Sequence, residues 1–236
     1  MRYTLEIANM TPDDFDFPQG RISAKPVERG TCKMMVVDIE RRTIVHDNIA
    51  NIAKYHNDEE VWANNSYNSD IKDKTKHPLY AKWSGSHATP SAGIPLTEDL
   101  IKQLEMKFLT LHISGPSGKE DILKGYQTNK GWKEPFSIYH EPSTNIFAIG
   151  TTVAKAIEHY DRTNELSGES DLFIQPGCQF QFMRIKKLLT NFHFAKEPLL
   201  ALTCAFGGYV MIREAYKEAV AKKYLFGDYG DRLLMI

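Results

Sequence analysis

Several short polar strings follow directly after runs of apolar, β-forming residues, the places where an α/β protein gathers its ligands. In Thr190-Asn191-Phe192-His193, behind KLL, the imidazole can give or take a proton near neutral pH, and the Asn191 amide offers both a donor and an acceptor. Taken alone, His193 reads first as a structural histidine satisfied by nearby backbone. Gly150-Thr151-Thr152 stands between NIFAI and VAKAIEHY. Free N–H groups and two hydroxyls converge there on a spot suited to a carboxylate or a ribose, or the threonines simply cap a helix. His112 ends the apolar run FLTLH, and Tyr229-Gly230-Asp231 presents a carboxylate after a turn. In Ala205-Phe206-Gly207-Gly208 the glycines let a backbone approach a ligand closely or end a helix, and Phe206 suits an adenine face or a core.

Other chemistries are excluded by spacing. GPSGK at 115–119 is not a phosphate-binding loop, which would need glycine at Ile113 and Ser or Thr at Glu120. It is not a G-x-S-x-G nucleophile elbow either. His140-Glu141 precedes Pro142 without the second histidine of a zinc helix, so no catalytic metal is expected. Cys32, Cys178 and Cys204, odd in number and far apart, read as buried reduced thiols.

The elements that must position these residues follow from periodicity. KMMVVDI and RTIVHD, split by a charged turn, predict a hairpin, and VWANNSYNSD predicts a strand ending in turn formers. Residues 47–60 are ambiguous, with a short helical face at Ile49, Ile52 and Ala53, and residues 66–89 read as a loop or flap. Thr97 caps a helix bearing Leu100, Ile101, Leu104 and Phe108; FLTLHIS follows as a strand, and residues 115–142 read as loop-dominated, fit to hold a lid. NIFAIG, DLFI and KLLTNFH predict strands, while VAKAIEHY, LLALTCAF and MIREAYKEAVAKKY predict helices. That alternation predicts a single α/β domain built on a mainly parallel sheet covered by helices.

Composition bounds the rest. With 236 residues, 42% hydrophobic and 25% charged, the chain is an ordinary globular sequence able to bury a core, and one domain is the economical reading. No stretch approaches the roughly 18 apolar residues of a membrane span. No secretory or transit peptide is read in MRYTLEIANMTPDDFDFPQG, so the expected location is cytoplasmic. A formal charge of −1 gives no overall attraction for nucleic acid. RNA contact would need a local basic face, for which Arg21, Lys25, Arg29 and Lys33, or Lys72, Lys74, Lys76 and His77, are the candidates; a solvated surface is the simpler reading of each group.

The C-terminal run DLFIQPGCQFQFMRIKKLLTNFHFAKEPLLALTCAFGGYVMIREAYKEAVAKKYLFGDYGDRLLMI resembles the end of the S-adenosylmethionine:tRNA ribosyltransferase-isomerases of queuosine biosynthesis. Gly150-Thr151-Thr152, Pro90-Ser91-Ala92-Gly93, Leu111-His112, Asn64-Asn65 and the segment from Phe15 to Asp38 resemble earlier motifs of that family in their order. Relatives carry an inserted β-barrel domain between the segments matching Asn65 and Pro90. The resemblance therefore implies that residues 1–236 form one catalytic domain with a barrel-like sheet, residues 66–89 replacing the insertion.

It implies S-adenosylmethionine as co-substrate, no metal, and transfer of its ribosyl part to the aminomethyl group of a deazaguanine in tRNA, with release of adenine and methionine. It assigns proton handling to His193 and Asp231, with His112 in reserve, and substrate holding to Gly150, Thr151, Thr152, Lys155, Gly177, Asn191, Phe206, Gly207 and Tyr229. The sequence departs from the family pattern at Lys155, usually arginine, at Pro95, usually histidine, at Ser66-Tyr67-Asn68, and at Asp228, usually serine. Two alternatives stand beside this reading: an S-adenosylmethionine lyase, hydrolase or transferase acting on a small molecule, and a non-catalytic S-adenosylmethionine-binding subunit.

Overall fold

A computed structural model describes residues 25–115, 119–177, 180–194 and 197–236. Arg21, Cys178, Lys196 and the Pro116-Ser117-Gly118 string lie outside the described residues.

Among the described residues nine strands form one sheet: β1 (Lys33–Asp38), β2 (Thr43–Asn48), β3 (Glu60–Asn64), β6 (Lys107–Leu111), β7 (Lys130–Ile138), β8 (Ile146–Ile149), β9 (Ser167–Leu172), β10 (Ile185–Asn191) and β11 (Arg232–Met235). Their order is β2-β1-β11-β10-β8-β3-β6-β7-β9. The predicted hairpin is present, with all six residues of β1 paired to β2. The centre, β10-β8-β3-β6, is parallel throughout, so four strands end on one edge. Toward the flanks the direction reverses: β11 runs against β10, β7 against β6, and β9 against β7.

The sheet is thus mixed, where a mainly parallel, barrel-like one was expected. Among the described residues half of the strand pairings are antiparallel, and the row runs from β2 to β9 with no pairing between those two ends. Strand–helix alternation cannot distinguish a crossover from a return, and β7 returns antiparallel after helix α2 (Lys119–Thr128).

Strand alternation divides the core between two faces. Trp62, Ala148, Leu188 and Leu233 point to one, covered by α3 (Thr151–Thr163), α4 (Pro198–Gly207) and α5 (Tyr209–Ala221). Val61, Ala63, Phe147, Leu189 and Leu234 point to the other, covered by the 3-10 helix Ile49–Tyr55 and by α1 (Glu98–Gln103). The Thr97 side chain caps α1 through the Leu100 N–H, as predicted, and α3 ends on Asn164 in the left-handed conformation.

Residues 66–89 are more ordered than a flap. β4 (Ser66–Tyr67) pairs with β5 (Trp83–Ser84), and the Lys82 and Trp83 N–H groups donate to the Asn65 carbonyl at 2.7 and 3.1 Å. Buried His77 holds the middle, one ring nitrogen 2.9 Å from Thr89 Oγ1 and the other 2.9 Å from the Ile71 carbonyl. Two members of the N-terminal basic group are used internally, Arg29 on the Ile94 and His77 carbonyls and Lys33 on those of Lys222 and Lys223. Cys32 and Cys204 are buried free thiols, each pushed up to about 12 by burial.

Candidate active site

The carboxyl ends of β3, β6, β8 and β10 bring Asn64, His112, Gly150 and Asn191 to one edge of the sheet. At its middle, the Asn64 amide accepts the Leu111 and Ser66 N–H groups (3.1 and 3.0 Å) and donates to the Leu111 carbonyl (2.9 Å) and to Thr152 Oγ1 (3.2 Å). One side chain thereby ties β3 to β6 and to the first turn of α3. Gly150, with φ of 103°, turns the chain from β8 into that helix, and among the described residues no side chain caps the helix's N-terminus. The Val153 and Ala154 N–H groups bond the Gly150 carbonyl, which leaves those of Thr151 and Thr152 as the helix-terminal donors for an anion.

Toward β10 a polar relay runs from buried Asn191 and Ser91 out to the exposed Asp228. Asn191 Nδ2 lies 2.7 Å from Ser91 Oγ, which donates to Asp228 Oδ1 at 2.8 Å. Asn191 Oδ1 has no hydrogen-bond partner among the described residues. Arg232, fully buried, clamps the two loops carrying Ser91 and Asp228, donating to the carbonyls of Ala92 (2.8 Å), Ser91 (2.7 Å) and Gly230 (2.6 Å). Burial holds its pKa below the ordinary arginine value.

Toward β6, an open cleft of about 560 Å³ is lined by Asp70, Gly85, Ser86, His87, His112 and Pro135 among others. Its floor is fixed by the Ile113 N–H on Ser86 Oγ (2.8 Å) and the His87 N–H on the Ile113 carbonyl (2.7 Å). His112 Nδ1 is buried without a partner among the described residues, against Gly85.

The other expected site residues are placed less favourably for direct chemistry. His193 lies on the helix-covered side, Nε2 at 2.8 Å from Thr190 Oγ1, Nδ1 at 3.7 Å from Glu197 and its backbone N–H on the Tyr216 hydroxyl. Asp231 is 2% exposed, and its two oxygens accept the Lys33 and Leu225 N–H groups at 2.9 and 2.8 Å. Lys155 is paired with Glu134 at 2.7 Å, which takes up its charge internally. A side chain at Gly207 would collide with Ile212, so that glycine is required by helix packing. Phe206 packs edge-on to Phe182 at 4.9 Å. Gly177, with φ of 80°, sits in the turn after β9. Tyr229 is half-buried beneath Lys76, and burial raises its pKa. Thr151 is buried beside Gly150. Pro95 is buried, its carbonyl accepting the Gly30 N–H.

A family profile described as "Queuosine biosynthesis protein" matches residues 66–235. The chain belongs to this family. Curated relatives named S-adenosylmethionine:tRNA ribosyltransferase-isomerase include those of Coxiella burnetii, 35% identical over 175 residues (66% of this chain, 50% of the relative), and Aliarcobacter butzleri, 36% identical over 168 residues (67% and 49%). That of Sulfurihydrogenibium is 35% identical over 185 residues (70% and 53%). The chain thus spans about half the length of these relatives. The crystal structure of a Thermotoga maritima S-adenosylmethionine tRNA ribosyltransferase superposes with a TM-score of 0.68 at 21% identity, covering 94% of this chain and 100% of that one, which establishes a shared fold.

Within this family member, residue-by-residue reading missed Ser91, Asn64 and Asp228 as parts of the site. Asn64-Asn65 at the end of a strand was the available signal for Asn64. Ser91 and Asp228 lie 137 residues apart, and no local pattern joins them.

Proposed function

We propose that the chain is an S-adenosylmethionine-dependent ribosyltransferase-isomerase that acts on tRNA at the carboxyl edge of β10-β8-β3-β6. The observation that carries this reading is that two buried polar atoms without partners, His112 Nδ1 and Asn191 Oδ1, both stand on that edge. They are separated by three strand spacings, roughly 14 Å, a span suited to an amino acid joined to a nucleoside. The N–H groups of Thr151 and Thr152 offer a place for a carboxylate, and Asn64 steadies the Thr152 hydroxyl.

His112 is assigned proton handling, since its ring borders the cleft and has an unclaimed nitrogen. His193 and Asp231 are assigned positioning: His193 braces the end of β10 through Thr190, and Asp231 joins the start of β1 to the loop before β11. Residues 66–89 stand in for the relatives' inserted domain in contacting RNA, through Lys72, Lys74 and Lys82 and through Trp83, which is 47% exposed and lies beneath Lys82.

The test is mass spectrometry of the purified protein with S-adenosylmethionine, with and without tRNA bearing the aminomethyl-deazaguanine. Adenine and methionine should appear together with a modified nucleoside, and only when the tRNA is present. Release without RNA would assign the chain to a small acceptor; binding without release would make it a non-catalytic subunit, and either outcome contradicts the proposal.

A further inference from the structure

The relay from Asp228 to Asn191 has a fixed direction. A carboxylate only accepts, and Ser91 has a single hydroxyl proton. With Ser91 Oγ 2.8 Å from Asp228 Oδ1, that proton belongs to Asp228. The Asn191 atom 2.7 Å from Ser91 Oγ must then be the donor, Nδ2, which also lies 3.4 Å from Asp228 Oδ1. The other end of the amide is an acceptor, left without a partner in a residue that is 4% exposed. An orphaned buried acceptor is costly, so a ligand donor placed there is favoured.

The surroundings identify the donor. The Gly150 N–H bonds the Leu189 carbonyl at 2.8 Å, which sets the uncapped start of α3 beside the end of β10, two residues before Asn191. β8 and β10 are bonded neighbours, about 4.8 Å apart. An acceptor and a helix N-terminus on adjacent strand ends match the amino group and carboxylate carried by one carbon. Charge does not decide the matter, because Lys33 and Arg232 stand against Asp231 and Asp228.

We propose that Asn191 accepts a hydrogen bond from the α-amino group of the amino-acid end of S-adenosylmethionine, and that Asp228, acting through Ser91, is the positioning residue that sets this polarity. The inference rests on the reading of S-adenosylmethionine as substrate. It orients the ligand, with its amino-acid end at β10 and its nucleoside toward His112. In Asp228→Asn the new amide can donate to Ser91, Ser91 can donate to Asn191 Oδ1, and Asn191 then turns its N–H groups to the ligand.

The experiment is calorimetric binding of S-adenosylmethionine and of two analogues, one with the amino group replaced by hydrogen and one with it replaced by a keto oxygen. The wild type should bind S-adenosylmethionine at least tenfold more tightly than either analogue. Asp228→Asn should lose that preference and gain at least threefold for the keto analogue, a reversal that simple damage to the loop does not produce. Equal wild-type affinity for S-adenosylmethionine and the hydrogen analogue overturns the inference while leaving the substrate reading intact, whether or not the variant folds. A folded Asp228→Asn variant that keeps the wild-type preference also overturns it. Absence of any S-adenosylmethionine binding overturns both.

Discussion

His112 Nδ1 is desolvated and unclaimed, whereas the polar atoms of His193 and Asp231 have partners inside the protein. A general acid or base contributes about 10²–10⁴-fold to a rate. His112→Asn is therefore expected to lower kcat by about 100-fold without a change in melting temperature, read by single-turnover kinetics beside a thermal melt. Asp231→Ala should show the opposite pattern. It orphans the Lys33 and Leu225 N–H groups and should cost about 3 kcal/mol of stability, read from the denaturation midpoint, with turnover per folded molecule within a few-fold of wild type. A hundredfold loss of kcat in a stable Asp231→Ala protein would return the proton-handling role to that carboxylate.

Among the elements, those with dense β-branched or aliphatic runs were legible from sequence: KMMVVD, EVWAN, IFAI and KLLTN are all strands. β7 was not, because Gly131 and Pro135 break its pattern, and its register shifts between Lys130 and Glu134. Strand direction was not legible either, since periodicity carries no information about which neighbour a strand joins. The site was legible where chemistry and turn coincide, at Gly150-Thr151-Thr152 and Asn191, and illegible where tertiary pairing makes it, as with Ser91 and Asp228. Two predictions belong to elements. Base–aromatic stacking contributes about 1–3 kcal/mol, so Trp83→Ala should weaken tRNA binding by roughly tenfold in a filter or gel assay and leave S-adenosylmethionine affinity unchanged. At the opposite end of β3, burial raises the pKa of Glu59 and Glu60, but bonds from Lys187 and Lys107 outweigh it and leave both lowered. Their stabilising effect is complete above the unfolded value, near pH 4, and is lost as pH falls through the folded value, so denaturation midpoints should decline below about pH 4. Lys187→Met should flatten that decline.

For the whole molecule, family membership and the shared fold combine with about half the length of the curated relatives and a net charge of −1. The proposed attraction for tRNA would therefore have to be local, and residues 66–89 carry four lysines against two aspartates. If those lysines supply the phosphate contacts, binding should fall with salt at a log–log slope no steeper than about −3. A much steeper slope would place the RNA on a broader surface. The proposed substrate seat is one edge of the sheet, and amide hydrogen exchange with and without S-adenosylmethionine reads that edge residue by residue. Exchange should slow at residues 64–66, 111–114, 150–153 and 190–193; protection confined to α4 and α5, with that edge unchanged, would place the substrate elsewhere.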